Sequence, residues 1–101
     1  DHYLRLRNFD LAATFAKHAL SKAEKTGSKA SGAIARANLG FAMAGQGNLH
    51  EGVPHINAAI ATYHETGARA DEEGLLAELS EMYEKAELAP AIQTEPRNLP
   101  G

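Results

Sequence analysis

The chain has 101 residues and a formal net charge of −3, and it contains neither cysteine nor tryptophan. This length allows one small domain, and the lack of cysteine excludes disulfide scaffolds, zinc–thiolate sites and thiol nucleophiles. The mild acidity favours no nucleic-acid partner, and no apolar run approaches the roughly 20 residues of a membrane span, so we expect a cytoplasmic protein that contacts neither nucleic acid nor membrane.

Alanine and leucine dominate the apolar residues and predict an all-α fold. The chain has 20 alanines and 11 leucines, whereas isoleucine, valine and threonine together number only ten. Alanine and leucine are among the best helix formers, and β-branched residues favour strands. The many small side chains also predict closely packed helices, since they let two helix axes approach.

The first half of the chain predicts two helices, because apolar residues recur there at helical spacing. The first covers residues 9–26, with Asn8 capping its start and Gly27 as the left-handed residue past its end. Residues 1–7 then belong to a separate, preceding helix. The second covers residues 29–45, with an apolar stripe on Ala35, Leu39, Ala42 and Met43.

The second half predicts two more helices after a glycine-rich turn. The third covers residues 49–66, and Pro54 falls in its first turn, where no hydrogen bond is lost, if this helix begins near Glu51. The fourth covers residues 69–87, and the proline-rich segment after it is expected to form no more than a short helical turn. Counting the piece before Asn8, we expect five helices or helix pieces, with antiparallel neighbours joined by short turns.

The apolar stripes of these helices predict a common core, since each packed helix buries one stripe. The expected core residues are Phe15, Leu20, Leu39, Met43, Ile56, Ala59, Ile60, Leu79 and Tyr83.

The two halves of the chain align with each other after a shift of 40 residues. Asn8 falls on Asn48 and Gly27 on Gly67, and core positions of the helices coincide as well. A period of this length built from two helices is typical of a helical solenoid.

The middle of the chain resembles the tetratricopeptide repeat (TPR) family. The residues that match its pattern are Leu39, Gly40, Met43, Gly47, Asn48, Leu49, Gly52, Ile56 and Ala59. The resemblance implies a right-handed superhelix of helical hairpins, about two to two and a half repeats long, each about six residues longer than the usual 34-residue unit. Residues 1–88 would form this TPR-like domain and residues 89–101 a proline-rich tail. The stretch 47–92 is also similar to the repeat region of bacterial cyclase-like and ATPase regulatory proteins.

Two glycines of this pattern have a predicted physical role that does not depend on the family. Gly40 and Gly52 would leave room where the second and third helices cross, because neither carries a side chain.

The predicted solenoid is incomplete at both ends. We therefore expect the chain to be a fragment of a longer protein, and we expect it to self-associate. Residues 1–50 carry a net charge of +4 and residues 51–101 a net charge of −7, so opposite ends of two copies would attract. We expect a homodimer through the end helices or the tail. The apolar residues expected to be uncovered there are Phe9, Phe15, Leu75 and Leu76.

Catalytic and metal-binding patterns are weak. The histidines of the third helix lack the i, i+4 spacing that chelates zinc; they are His50, His55 and His64. Paired-carboxylate catalysis needs acids opposed across a cleft, whereas Glu78, Glu81 and Glu84 recur along one helix. Phosphate-binding loops and nucleophile motifs are missing from the sequence. We therefore expect no enzyme, no metal and no cofactor.

The TPR resemblance implies a concave groove that binds a peptide. In that register Asn38 faces the groove, and its amide can both donate to and accept from a peptide unit. The other residues expected on this face are Ile34, Phe41, Gly74, Glu78 and Glu81. The predicted function is a protein–protein interaction module or scaffold. The alternatives are a structural spacer or homodimerisation element of a larger regulatory protein, with the groove an exposed, unliganded surface.

Overall fold

The protein folds as four consecutive α-helices in a computed structural model, which describes the backbone of residues 2–93 and the side chains of residues 7–85. The described residues form helices and turns only, with no strand, so the predicted all-α class is confirmed. None of the helices in this described part is long and apolar enough to cross a membrane. The helices are α1 (His2–Thr26), α2 (Lys29–Gly45), α3 (Leu49–Thr66) and α4 (Arg69–Gln93).

Two helix boundaries differ from the sequence prediction, and Pro54 lies deeper in its helix than expected. α1 is continuous from His2, so Asn8 caps no helix and the five predicted pieces become four. An asparagine costs a helix interior only about 0.7 kcal/mol, too little to interrupt a run of good helix formers. α3 begins at Leu49, which places Pro54 beyond the first turn. α4 continues to Gln93 rather than ending at residue 87, and the part of the predicted tail beyond residue 93 lies outside the described residues.

Local sequence explains the start of α2 and the ends of α1 and α3. The Ser28 hydroxyl accepts a hydrogen bond from the Ser31 N–H, with an N···O distance of 3.2 Å, and caps α2. Gly27 and Gly67 have φ values of +74° and +79°, the left-handed conformation that terminates α1 and α3. Asn48 precedes α3 as predicted but makes no side-chain cap hydrogen bond.

Each helix packs against the next one along the chain: α1 on α2, α2 on α3, and α3 on α4. The connecting segments have only two or three residues, so consecutive helices run antiparallel. α2 is the central helix of the first three, because it contacts α1 on one side and α3 on the other.

The core consists of two small clusters on opposite sides of α2. One cluster lies between α2, α3 and α4, and Ile56 at its centre is 0% exposed. Its buried members are Ala33, Ala37, Ile56, Ala59, Leu75 and Leu79. The other lies between α1 and α2, and its buried members are Ala13, Ala16, Leu39 and Ala42.

Most of the predicted core residues are at least partly buried, but two are not. Phe15 is 71% exposed and Tyr83 is 45% exposed, so their assignment to the core is wrong. The buried stripe of α1 includes Ala16, and adjacent residues of a helix point about 100° apart, so Phe15 turns away from the core. The fully buried predictions are Leu39, Ile56, Ala59 and Leu79, and the partly buried ones are Leu20, Met43 and Ile60.

The two glycines predicted at the helix crossing bring the backbones of α2 and α3 into contact. Gly40 and Gly52 are both buried. A Cβ atom added to Gly40 would lie 2.6 Å from the carbonyl oxygen of Gly52, and one added to Gly52 would overlap the carbonyl oxygen of Gly40. The predicted role of these glycines is confirmed.

The apolar residues expected to be uncovered at the two ends have different environments. Leu75 is buried in the core between α2, α3 and α4, which contradicts the prediction. Phe9 is half-buried, with its ring against Gly45 of α2. Phe15 and Leu76 are exposed, which agrees with this expectation and, for Phe15, excludes the core position that was also predicted.

Candidate functional site

α2 presents a third face, between its two buried faces, that is open to solvent. Ile34, Asn38 and Phe41 are spaced four and three residues apart and therefore lie on one side of the helix. Ile34 is 53% exposed and Asn38 is exposed, whereas Phe41 is half-buried and packs against the core between α2, α3 and α4. We call Asn38 and Phe41 the ridge, because a groove lies on each side of them.

The first groove separates α2 from α4 and has a volume of about 340 Å³. Its lining includes two carboxylates, those of Asp71 and Glu78, and no Lys, Arg or His among the described residues. We call it the acidic groove. Its lining residues are Ile34, Ala37, Asn38, Phe41, Tyr63, Ala70, Asp71, Gly74, Leu75 and Glu78.

The second groove separates α1 from α2 and has a volume of about 490 Å³. Asn38 is the one polar side chain in the lining that the described residues form, so we call it the apolar groove. Its lining residues are Phe9, Ala12, Phe15, Ala16, Ala19, Asn38, Phe41 and Ala42. The ridge therefore borders an apolar surface on one side and an acidic surface on the other.

Tyr63 of α3 lines the acidic groove, and the pKa of its phenol is affected by burial and by a neighbouring charge. Burial raises the pKa of the Tyr63 phenol above its usual value of 10.0, and the negative charge of Asp71 raises this pKa further. Both effects favour the uncharged phenol. At neutral pH the groove therefore offers a hydroxyl that can donate or accept a hydrogen bond.

The structure brings five of the six residues predicted on the peptide-binding face into one groove, and Gly74 is one of them. Ile34, Asn38 and Phe41 of α2 lie opposite Glu78 of α4. Glu81 is exposed three residues further along α4 and does not line this groove in the described part of the chain. A peptide-binding role for these residues stays a prediction.

The residues of this surface that the sequence did not predict include Phe15, Tyr63 and Asp71. Phe15 had been assigned to the core, yet the sequence contains a signal for its position. Ala12, Phe15 and Ala19 recur at i, i+3 and i+7 and form a second apolar stripe on α1 beside the buried stripe. Two adjacent stripes indicate a helix that packs on a neighbour and also lines a groove.

The histidines and glutamates that the sequence singled out form no metal site in the described part of the chain. His64 pairs with an acid instead: its Nδ1 atom lies 3.1 Å from a carboxylate oxygen of Glu72, which links α3 to α4. Glu78, Glu81 and Glu84 are exposed along α4.

Comparisons of this chain with models of protein families, with curated proteins and with solved structures found no match. The chemistry of the ridge and its two grooves is thus the basis for a functional proposal. The ridge has an exposed amide beside an aromatic ring, and it lies between an apolar and an acidic surface. Such a surface can bind a peptide, because the amide can bond to polar backbone groups and the apolar surface can contact apolar side chains.

Proposed function

We propose that this chain is a non-enzymatic protein–protein interaction module that binds an extended peptide segment across the ridge of α2. The observation that carries the proposal is the position of Asn38, which is exposed and lines both grooves. Its amide offers one donor group and one acceptor group to a peptide unit lying across α2. Side chains on either side of that unit then reach the two grooves.

The relative size of the interactions assigns different roles to the residues of the site. Burying one Leu or Phe side chain of a ligand contributes about 1.5–3 kcal/mol, whereas one neutral hydrogen bond contributes about 0.5–1.5 kcal/mol. The apolar contacts with Phe15 and Phe41 therefore supply most of the affinity. Asn38 sets the register of the peptide, because its hydrogen bonds need the peptide unit at one place.

A TPR-like arrangement of the helices is part of this proposal, and two observations support it. Consecutive antiparallel helices pack side by side, and Gly40 and Gly52 lie at the crossing of α2 and α3. A fold of this kind exposes the first helices of successive hairpins on a common face. In the proposed register, α2 and α4 are these helices, and the acidic groove lies between them.

Replacing Asn38 by alanine tests the proposal. With a peptide selected on this chain from a random display library, we expect Asn38→Ala to weaken binding about 2- to 13-fold, the equivalent of one neutral hydrogen bond. Isothermal titration calorimetry measures the change. Asn57→Ala is the matched control, because Asn57 is exposed on α3 and lines neither groove. Equal affinities of the parent, Asn38→Ala and Asn57→Ala would remove the role of Asn38.

A second candidate function, a homodimerisation element of a larger regulatory protein, is favoured by apolar side chains exposed on the first and last helices. Leu11 on α1 is 50% exposed and Leu76 on α4 is 47% exposed. If these side chains mediate self-association, sedimentation equilibrium should show a dimer in the micromolar range that Leu76→Glu converts to a monomer. A parent chain that stays monomeric over this range contradicts this candidate.

A further inference from the structure

The two grooves beside the ridge differ in charge, and this difference indicates which kinds of peptide side chain each groove can bind. The apolar groove has no charged side chain in its described lining, and Phe15 stands 71% exposed beside it. The acidic groove presents Asp71 and Glu78. Both acids are exposed, so a ligand can reach their carboxylates without first displacing a buried partner.

We infer that this surface recognises an extended segment in which a large apolar residue lies two to four positions from a lysine or arginine. The apolar side chain occupies the apolar groove, the peptide unit between the two side chains bonds to Asn38, and the cation lies beside Asp71 and Glu78. The inference rests on the proposed function and adds to it the chemical class of the partner.

The spacing follows from the width of one helix. The two grooves lie on opposite sides of the ridge of α2, and an α-helix with its side chains is about 10–12 Å across. An extended chain advances about 3.3 Å per residue, and its successive side chains point to opposite sides. A segment that crosses α2 therefore spans the helix in about three residues, and the spacings that direct both side chains toward α2 are two or four positions.

The charges around the acidic groove favour a ligand cation, and few basic side chains of the protein compete with it for the carboxylates. In residues 69–85 of α4 there are six acidic and two basic residues. The nearest basic residue of α2 to the ridge, Arg36, lies on a different side of the helix, with its guanidinium 3.9 Å from a carboxylate oxygen of Glu24. Because Asp71 and Glu78 face solvent, their attraction for a ligand cation is screened by salt.

Selection from a phage-displayed library of random 12-residue peptides tests the inference. The baits are the parent chain, the groove variant Asp71→Asn/Glu78→Gln, the ridge variant Asn38→Ala/Phe41→Ala, and the control Glu73→Gln/Glu84→Gln. The control removes two exposed acids from the same helix that do not line the groove. Far-UV circular dichroism of each bait checks that it retains the helical content of the parent.

We expect the parent to enrich peptides with an aromatic or aliphatic residue two to four positions from a Lys or Arg. The groove variant should bind these peptides about 2- to 30-fold more weakly, as expected for the loss of two exposed ion pairs, and the difference should shrink at high salt. The control should retain the affinity of the parent. A charge-reversed chain, Asp71→Lys/Glu78→Lys, should select acidic peptides instead.

The outcomes separate this inference from the proposed function. Enriched peptides without a basic residue, or basic peptides that bind the groove variant as tightly as the parent, overturn the inference and leave peptide binding in place. Equal losses in the groove variant and the control also overturn it, since net charge would then explain the attraction. If no enriched peptide loses affinity for the ridge variant, the proposed function itself fails.

Discussion

Replacing Ile56 by alanine is expected to lower the free energy of unfolding by about 2–5 kcal/mol. Ile56 is 0% exposed and lies in the core cluster that joins α2, α3 and α4. The neighbours of this side chain include Ala33, Ala37 and Ala59. Alanine side chains are too short to extend into the cavity that the substitution leaves, so the cavity stays open. A domain of this size has a total stability of only about 5–15 kcal/mol, so the loss is a large share of it.

Chemical denaturation followed by far-UV circular dichroism measures this effect. The matched control is Ile34→Ala, the same substitution at a side chain that is 53% exposed. We expect this control to change stability by less than about 0.5 kcal/mol, since it opens no cavity and alanine is the better helix former. Similar losses for Ile56→Ala and Ile34→Ala would contradict the position of the core.

Replacing Gly52 by alanine is expected to destabilise the fold by about 1–3 kcal/mol or more, although alanine is favoured over glycine in a helix by about 1 kcal/mol. The added Cβ overlaps the carbonyl oxygen of Gly40 and lies 3.3 Å from the backbone nitrogen of Ala44. These are backbone atoms of α2, so no side chain can rotate to make room. Relief requires α2 and α3 to move apart, which loosens the contacts of Ile56.

Gly74→Ala is the matched control for Gly52→Ala. Gly74 also lies inside a helix, but an added Cβ there meets no atom within 4 Å, so we expect this variant to gain about 0.5–1 kcal/mol from helix propensity alone. Thermal unfolding of the two variants should therefore shift the midpoint in opposite directions. A stabilised Gly52→Ala variant would show that the helices do not cross at this point.

The core and the helix crossing also determine the geometry of the proposed site. Ile34, Asn38 and Phe41 belong to α2, whose orientation is set by Leu39 and Ala42 against α1 and by Gly40 against α3. A rotation of α2 by one residue would turn Asn38 toward a neighbouring helix, because successive helix positions differ by about 100°.

Helix identity and the left-handed glycines were predictable from the sequence. These features depend on residues within one or two turns of each other: apolar residues at i, i+3 and i+4, or a glycine where the backbone needs a positive φ. The prediction was wrong where a local signal was too weak to act alone. Asn8 resembles a cap, yet the helix-forming residues on both sides of it continue one helix from His2.

The sequence by itself determined that this protein is a set of amphipathic helices, and that Ile34, Asn38 and Phe41 share one side of α2. Only the tertiary structure decided that Phe15 lies at a groove instead of in the core, that Leu75 is buried, and that Asp71 faces the ridge. The physical reason is that periodicity specifies which residues share a face of a helix. Which face meets a neighbour, and which stays open, depends on how the helices cross, and that is decided by side chains distant in sequence.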